Sequence, residues 1–192
     1  MMAPRHDAGA IILAGGKSLR MGQDKGLLPI GGIPLFRHIA NQLTPLFAEC
    51  LIVANDAEPY RETGLRIVPD ERPGLGPLMG ILSGLSASGH ELNFVTACDI
   101  PTMNPEFISD LLKNAAGYDA VIPVTGEDKY EPLFAVYRKT VIPAIRQILD
   151  QGGRRIIELM KRVRVRTVPL SGADWYSNIN TIEDYRNIIG SI

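Results

Sequence analysis

Ala10-Ile11-Ile12-Leu13-Ala14-Gly15-Gly16-Lys17-Ser18-Leu19-Arg20-Met21-Gly22-Gln23-Asp24-Lys25 is the stretch on which the fold turns. Its apolar start reads as a short buried strand, and the paired glycines stop it abruptly. Glycines let the backbone approach a bulky anion, and successive N–H groups in such a turn form an anion-binding hollow. Lys17, Arg20 and Lys25 bring three cations into the same loop. A strand feeding a cationic, glycine-rich loop predicts a site for a nucleotide triphosphate.

Two familiar phosphate motifs do not fit. A P-loop needs Gly-x-x-x-x-Gly-Lys-Ser/Thr, and Ile11 stands where its first glycine belongs. The dinucleotide fingerprint Gly-x-Gly-x-x-Gly fails at Gly15-Gly16-Lys17, and Gly74-Leu75-Gly76-Pro77-Leu78-Met79-Gly80 carries Met79 at the third glycine.

Outward from the loop, short β-branched runs alternate with helical patterns. Strands are predicted at Ala10–Leu13, Leu51–Val53, Leu65–Val68, Phe94–Thr96, Ala120–Ile122 and Leu133–Val136. Helices are predicted at Leu35–Leu46, begun by Pro34, and at Leu78–Leu85, Pro105–Asn114 and Val141–Leu149. Ile156–Met160 reads as a further helix, Val163–Val168 as an exposed edge strand and Thr181–Ile189 as a closing helix capped by Thr181. The alternation predicts an α/β, Rossmann-like three-layer sandwich: a mostly parallel sheet with helices on both faces. Ligands in such sheets collect beyond the carboxyl ends of the strands. The glycine-rich loop, Pro69-Asp70 and Cys98-Asp99 all lie there on this reading.

At 192 residues the chain fits a single domain, 1–192, with a sizeable core. A net charge of −1 gives no global attraction to nucleic acid or an anionic membrane, so anion binding must be local. No window is long and apolar enough to span a bilayer, and the first residues lack the apolar stretch of a signal peptide. Cys50 and Cys98 have no metal-ligand spacing and read as buried reduced thiols, which suits a cytoplasmic protein. His6, His38 and His90 are scattered and suggest no cluster.

Asp99 ends an apolar strand and is followed by Pro101. A carboxylate there can hold Mg²⁺ against phosphates, or cap the segment beginning at Thr102. Lys25 can neutralise phosphate charge, and the planar fork of Arg20 can grip phosphate oxygens.

The order of Leu13-Ala14-Gly15-Gly16, Arg20-Met21-Gly22 and Lys25 resembles the signature loop of sugar-nucleotide-type nucleotidyltransferases. Six further pieces extend the likeness: Gly32-Ile33-Pro34-Leu35, Val68-Pro69-Asp70, Cys98-Asp99-Ile100-Pro101, Pro132–Tyr137, Gly153-Arg154-Arg155 and Asn178-Ile179-Asn180-Thr181. Together they make the chain similar to the molybdenum cofactor guanylyltransferase family. The resemblance implies that Leu13, Ala14 and Gly15 meet the guanine and ribose of GTP through their backbone. It implies that Lys25 and Asp70 contact the nucleotide and that Asp99 binds Mg²⁺. Asn55 falls beside another nucleotide contact. Arg154 and Arg155 resemble an element near the pterin phosphate, and Asn178 and Asn180 a pair lining the pterin side. Tyr130–Phe134 matches a segment between nucleotide and acceptor.

The implied activity is GMP transfer from GTP to the terminal phosphate of molybdopterin, with Arg20, Lys25 and Asp99 as the catalytic set. Related cytidylyltransferases carry Leu-Ala-Ala-Gly; Gly15 leaves room for a purine, which favours GTP. The rival readings are a molybdopterin cytidylyltransferase, a sugar-1-phosphate nucleotidyltransferase and a non-catalytic nucleotide-binding protein. The expected partners are GTP, a molybdopterin-type acceptor and, transiently, proteins that deliver and receive the cofactor. No exposed apolar stripe stands out, so a monomer is expected. The basic run Lys161, Arg162, Arg164 and Arg166 reads as a solvated face and edge strand.

Overall fold

The computed structural model describes residues 5–14, 25–126, 129–170, 175–179 and 181–189. The first strand, β1 (His6–Leu13), is followed by a 3₁₀ turn at Lys25–Leu27 and a hairpin of β2 (Pro29–Ile30) and β3 (Ile33–Pro34). Then come α1 (Leu35–Leu43), β4 (Phe47–Val53), a 3₁₀ turn at Glu58–Thr63, β5 (Arg66–Val68), α2 (Pro77–Ala87), β6 (Leu92–Ala97) and α3 (Pro105–Lys113). The remainder is β7 (Ala120–Gly126), β8 (Lys129–Tyr130), β9 (Phe134–Arg138), a 3₁₀ turn at Lys139–Val141, α4 (Ile142–Asp150), α5 (Ile156–Met160), β10 (Val165–Pro169) and α6 (Ile182–Ile189).

The main sheet runs β10-β7-β9-β6-β1-β4-β5, with β8 attached to β7. β1 pairs in parallel with β4 and β6, β4 with β5, and β7 with β10. β9 is antiparallel to both β6 and β7, so the sheet is mostly parallel with one reversed strand inside it. From β1 the chain steps to β4 and β5, then crosses by way of α2 to β6 on the other side of β1. That reversal makes the carboxyl end of β1 a topological switch point, where a ligand crevice forms.

Alternation along the strands builds two cores. Ala10, Ile12, Ile52, Phe94, Phe134 and Val136 face α1 and α3. Ile11, Leu51, Val53, Val95, Ala135 and Tyr137 face α2, α4 and α5. The period of two in these apolar runs is therefore spent on both faces, as in a sheet covered on each side.

α2 is buried from Leu78 through Leu85, so it is apolar all round rather than amphipathic. Gly80 and Gly84 give it a flat face against β1. A Cβ at Gly84 would lie 2.6 Å from Ile11 Cγ2, and one at Gly80 would lie 3.2 Å from Leu13 Cδ2. Glycine here permits close approach of helix and strand. Proline opens α2 at Pro77 and α3 at Pro105, where a missing N–H costs nothing.

Several boundaries differ from the sequence expectation. Pro34 stands just outside α1, at its N-cap and at the end of β3, and the helix stops at Leu43 rather than Leu46. Thr44 N–H and Oγ1 both bond Ala40 O, closing the last turn. The β2–β3 hairpin was not anticipated; Gly31 (φ 56°) and Gly32 (φ 83°) form its turn. Thr181 does cap α6: Asp184 N–H bonds Thr181 Oγ1 at 3.1 Å, and Thr181 N–H bonds Asp184 Oδ2 at 2.7 Å. β10 is the edge strand anticipated there. The Cys50 thiol is pushed by burial up to about 12, which fits a reduced, unreactive side chain.

Candidate functional site

The carboxyl end of β1 is pinned on both sides. Ala14 N–H bonds Val53 O at 2.9 Å, and Cys98 N–H bonds Leu13 O at 3.2 Å. The backbone at Leu13 and Ala14 thus enters the crevice rigidly, flanked by β4 and β6. Gly15, Arg20 and Lys17 lie outside the described residues.

Lys25 opens the 3₁₀ turn that follows and reaches across to Asp99. Its Nζ lies 3.9 Å from Asp99 Oδ2, with side-chain exposures of 19% and 32%. At that distance the contact is Coulombic rather than a hydrogen bond. Burial raises the Asp99 pKa above its ordinary value; the Lys25 charge opposes the rise without cancelling it. An ionised Asp99 therefore gains from any further cation placed beside it.

The alternative role for Asp99, capping the next helix, is taken by Asn104, whose side chain accepts from Phe107 N–H at 3.0 Å. Asp99 is instead held through its backbone. Ile179 N–H bonds Asp99 O at 2.8 Å. Downstream, the Gln42 amide on α1 donates to Pro101 O at 2.8 Å and accepts from Met103 N–H at 3.0 Å. Sequence inspection had no means of finding Gln42, which lies more than fifty residues from the loop it braces.

After β5, Asp70 and Asn55 clasp each other. Asn55 Nδ2 donates to Asp70 Oδ2 at 2.9 Å, and Asp70 N–H donates to Asn55 Oδ1 at 3.0 Å. Asp70 Oδ1 is left buried with no partner among the described residues. It lies 3.8 Å from where a Cβ on Gly80 would stand. The neighbouring Glu71 is anchored by N–H to Ser83 Oγ (3.0 Å) and by a two-pronged bond from Arg146 (2.8 and 2.9 Å), which holds its carboxyl below the usual range. A buried carboxylate oxygen without a donor is costly, so this loop presents a ready acceptor. From β5 to β6 is three strand spacings, or about 14 Å, comparable to an extended nucleotide.

The segment 175–179 closes the other side. Tyr176 Oη donates to Glu131 Oε2 at 2.8 Å, and Trp175, Tyr176, Phe134 and Phe107 pack ring against ring. Asn178 lies in this segment, with its Oδ1 buried and unpartnered among the described residues. Asn180 lies outside them. Arg154 and Arg155 are exposed at the start of α5, beyond Gly152 (φ 82°) and Gly153. Among the described residues no hydrogen bond or ion pair joins these arginines to Asp99, whose carboxylate is paired with Lys25.

Lys25, Asp99 and the 175–179 segment are thus brought together, as are Leu13, Gly80 and Asp70. Tyr176 went unremarked in the sequence, because an aromatic residue two before an asparagine carries no motif. Glu131 was visible as part of Tyr130–Phe134, but its pairing was not.

Groups of three or more side chains able to hold a metal are absent among the described residues. Mg²⁺ is commonly held by one or two carboxylates together with substrate phosphates, and a half-buried Asp99 facing the crevice fits that requirement. No helix among the described residues is long and apolar enough to cross a membrane.

Residues 10–165 match the family described as the MobA-like NTP transferase domain. A relative from Carboxydothermus hydrogenoformans, named a probable molybdenum cofactor guanylyltransferase, is 36% identical over 93% of this chain and 93% of its own. One from Yersinia pseudotuberculosis, named molybdenum cofactor guanylyltransferase, is 33% identical over 91% of each. The crystal structure of molybdopterin-guanine dinucleotide biosynthesis protein A from Archaeoglobus fulgidus superposes with a TM-score of 0.81 at 26% identity, covering 96% of this chain and 100% of that one. CMP:2-keto-3-deoxy-manno-octonic acid synthetase, solved with CTP, has a TM-score of 0.75 at 14% identity, covering 97% and 98% of the two chains. That last likeness is one of fold alone.

Proposed function

The chain belongs to the MobA-like NTP transferase domain family, and from that premise we propose that it is a nucleotidyltransferase that moves GMP from GTP onto a molybdopterin-type acceptor. An oxygen of the acceptor's terminal phosphate attacks the α-phosphorus of GTP. A new P–O bond forms there as the bond to the β-bridging oxygen breaks, and pyrophosphate leaves with the electron pair. The products are a guanine dinucleotide of the cofactor and pyrophosphate. A phosphate nucleophile is already ionised at neutral pH, so the protein supplies no general base.

The observation that carries this reading is the Lys25–Asp99 pair at the switch point, a cation and a half-buried carboxylate 3.9 Å apart. Transfer of this kind depends on positioning and charge neutralisation rather than on a protein nucleophile. Lys25, with Arg20 from the preceding loop, balances charge on the phosphates. Asp99 would hold Mg²⁺, which supplies neutralisation of the phosphate charge when bound. Leu13, Ala14 and Gly15 contribute backbone groups to the nucleoside, and Asp70 offers its free carboxylate oxygen to it. Arg154, Arg155, Asn178 and Asn180 serve the acceptor. The protein works in the cytoplasm as a monomer, meeting cofactor-delivering and cofactor-receiving proteins transiently.

The test is pyrophosphate release with each of the four NTPs, Mg²⁺ and molybdopterin. GTP should support turnover at least tenfold better than the others. Preference for CTP, or release independent of the acceptor, would refute the reading.

A further inference from the structure

Between β5 and α2 the chain is neither helix nor strand, and Gly74 (φ 84°) and Gly76 (φ 79°) both take positive φ. A glycine-rich connection keeps one conformation only where outside contacts pin it. α4 supplies them. Arg146 Nη1 and Nη2 donate to the two carboxylate oxygens of Glu71 at 2.8 and 2.9 Å, and Arg72 Nη1 lies 3.0 Å from Asp150 Oδ1. The charges are crossed. The loop carries an anion and then a cation at adjacent positions, while the helix carries a cation and then an anion one turn apart, on one face. Sliding α4 by one turn would set Asp150 against Glu71, where like charges repel. The two pairs therefore fit in one register only. All four side chains are a third or more exposed, so the pairs add little to stability. What they fix is geometry.

From this we infer that Glu71, Arg72, Arg146 and Asp150 are positioning residues, a crossed ionic brace between the loop and α4 that sets Asp70 for the nucleoside of GTP. The inference rests on the reading above in which Asp70 meets the nucleoside. Asp70 is pinned on one side by Asn55, whose amide donates to Asp70 Oδ2 at 2.9 Å and accepts from Asp70 N–H at 3.0 Å. On the other side stands Glu71. Its N–H bonds Ser83 Oγ on α2 at 3.0 Å, and its carboxylate takes the Arg146 fork. A planar fork fixes the direction of a carboxylate as well as its distance. The peptide between Asp70 and Glu71 is thereby held from both ends, and the Asp70 side chain leaves it in a set direction. Arg146 stands 75 positions along the chain from Glu71, so the brace brings the second half of the chain to bear on a loop of the first.

Turnover of GTP with Mg²⁺ and molybdopterin is measured on the full-length protein, together with thermal midpoints. Arg146→Glu sets like charges against each other and should raise KM for GTP about tenfold, with kcat within about twofold of wild type. Arg146→Gln, which removes the charge and keeps most of the stem, should raise KM about threefold. Lost substrate binding moves KM, whereas a variant that merely folds less well loses apparent kcat at unchanged KM. Adding Glu71→Arg to Arg146→Glu restores an opposite pair and should recover most of the KM. In an Asp70→Ala background Arg146→Glu should add nothing, because the brace acts through Asp70. An unchanged KM in both Arg146 variants, no recovery in the swapped pair, or a full further loss in the Asp70→Ala background would overturn the brace. Wild-type protein with no saturable dependence on GTP, or an unchanged KM in Asp70→Ala, would instead overturn the nucleotide reading itself, and this inference with it.

Discussion

Asp99 and Asp119 stand at opposite ends of the sheet, and the protein treats them in opposite ways. Asp119 precedes β7 and is saturated: it accepts from Arg164 N–H, Nε and Nη2, each at 3.0 Å, and from Thr140 Oγ1 at 2.8 Å. Those bonds hold its carboxyl far below the usual range. Asp99 follows β6, and among the described residues its carboxylate meets one cation at 3.9 Å, with burial pushing its pKa up. The first arrangement stabilises the fold and has no capacity left for a ligand. The second costs stability and leaves capacity open. Asp70 Oδ1 and Asn178 Oδ1 are also buried without a partner among the described residues, but so is Asn93 Oδ1 near the start of β6. An unpartnered oxygen alone therefore does not single out a site; at Asp99 it is the pairing of burial with a nearby cation that does.

The largest effect that could break this contrast is at Asp99 itself. Asp99→Ala should lower transfer by about 10²–10³-fold or more, on the scale of losing an electrostatic element of phosphoryl transfer. Its thermal midpoint should stay near that of wild type; comparable rates in an Mg²⁺-dependent assay would remove Asp99 from the site. Lys25→Ala comes next, with a fall in kcat/KM for GTP of about 10²-fold; unchanged kinetic constants would show the cation to be ornamental.

The packed side of the contrast is tested by stability rather than rate. In Gly84→Ala the new methyl would meet Ile11 at 2.6 Å. It should cost about 1–3 kcal/mol in urea denaturation, and no loss would mean that α2 has room to shift. The smallest effect belongs to Asp119→Asn, about 1 kcal/mol at neutral pH because Arg164 is largely exposed. Its sign with pH is fixed: a lowered folded pKa contributes stability above the ordinary carboxylate value, lost as pH falls. The difference between wild type and Asp119→Asn should therefore narrow below about pH 4, with activity per folded molecule unchanged throughout.

Much of the fold was legible in the sequence because apolar period and breaker residues act locally. Ile11 and Ile12 point to opposite cores, as a two-sided strand requires, and Thr181 caps α6 as its position suggested. The reversal of β9 was not legible, since Phe134–Arg138 reads the same in either direction. The site divides in the same way. Asp70, Asp99 and Lys25 follow strand ends or sit beside the glycine loop, so their sequence position announces them. Gln42, Glu131 and Tyr176 act through partners 45 or more residues away, and only folding brings those together. Asn55 lay between these cases: a candidate beside a strand end whose work, clasping Asp70, became visible only in the fold.

The central claim is that Asp99 is a ligand position kept open at the expense of stability, and one comparison tests it most directly. Mn²⁺ binding in the presence of GTP, read by electron paramagnetic resonance, is measured for wild type and Asp99→Asn alongside thermal midpoints at pH 7. A raised folded pKa contributes stability that is lost as pH rises through it, so neutral Asn should not lower the midpoint. The account predicts Mn²⁺ affinity at least tenfold weaker in Asp99→Asn with an equal or higher midpoint. Equal Mn²⁺ affinity in the two proteins, or a lower midpoint in the variant, would contradict it.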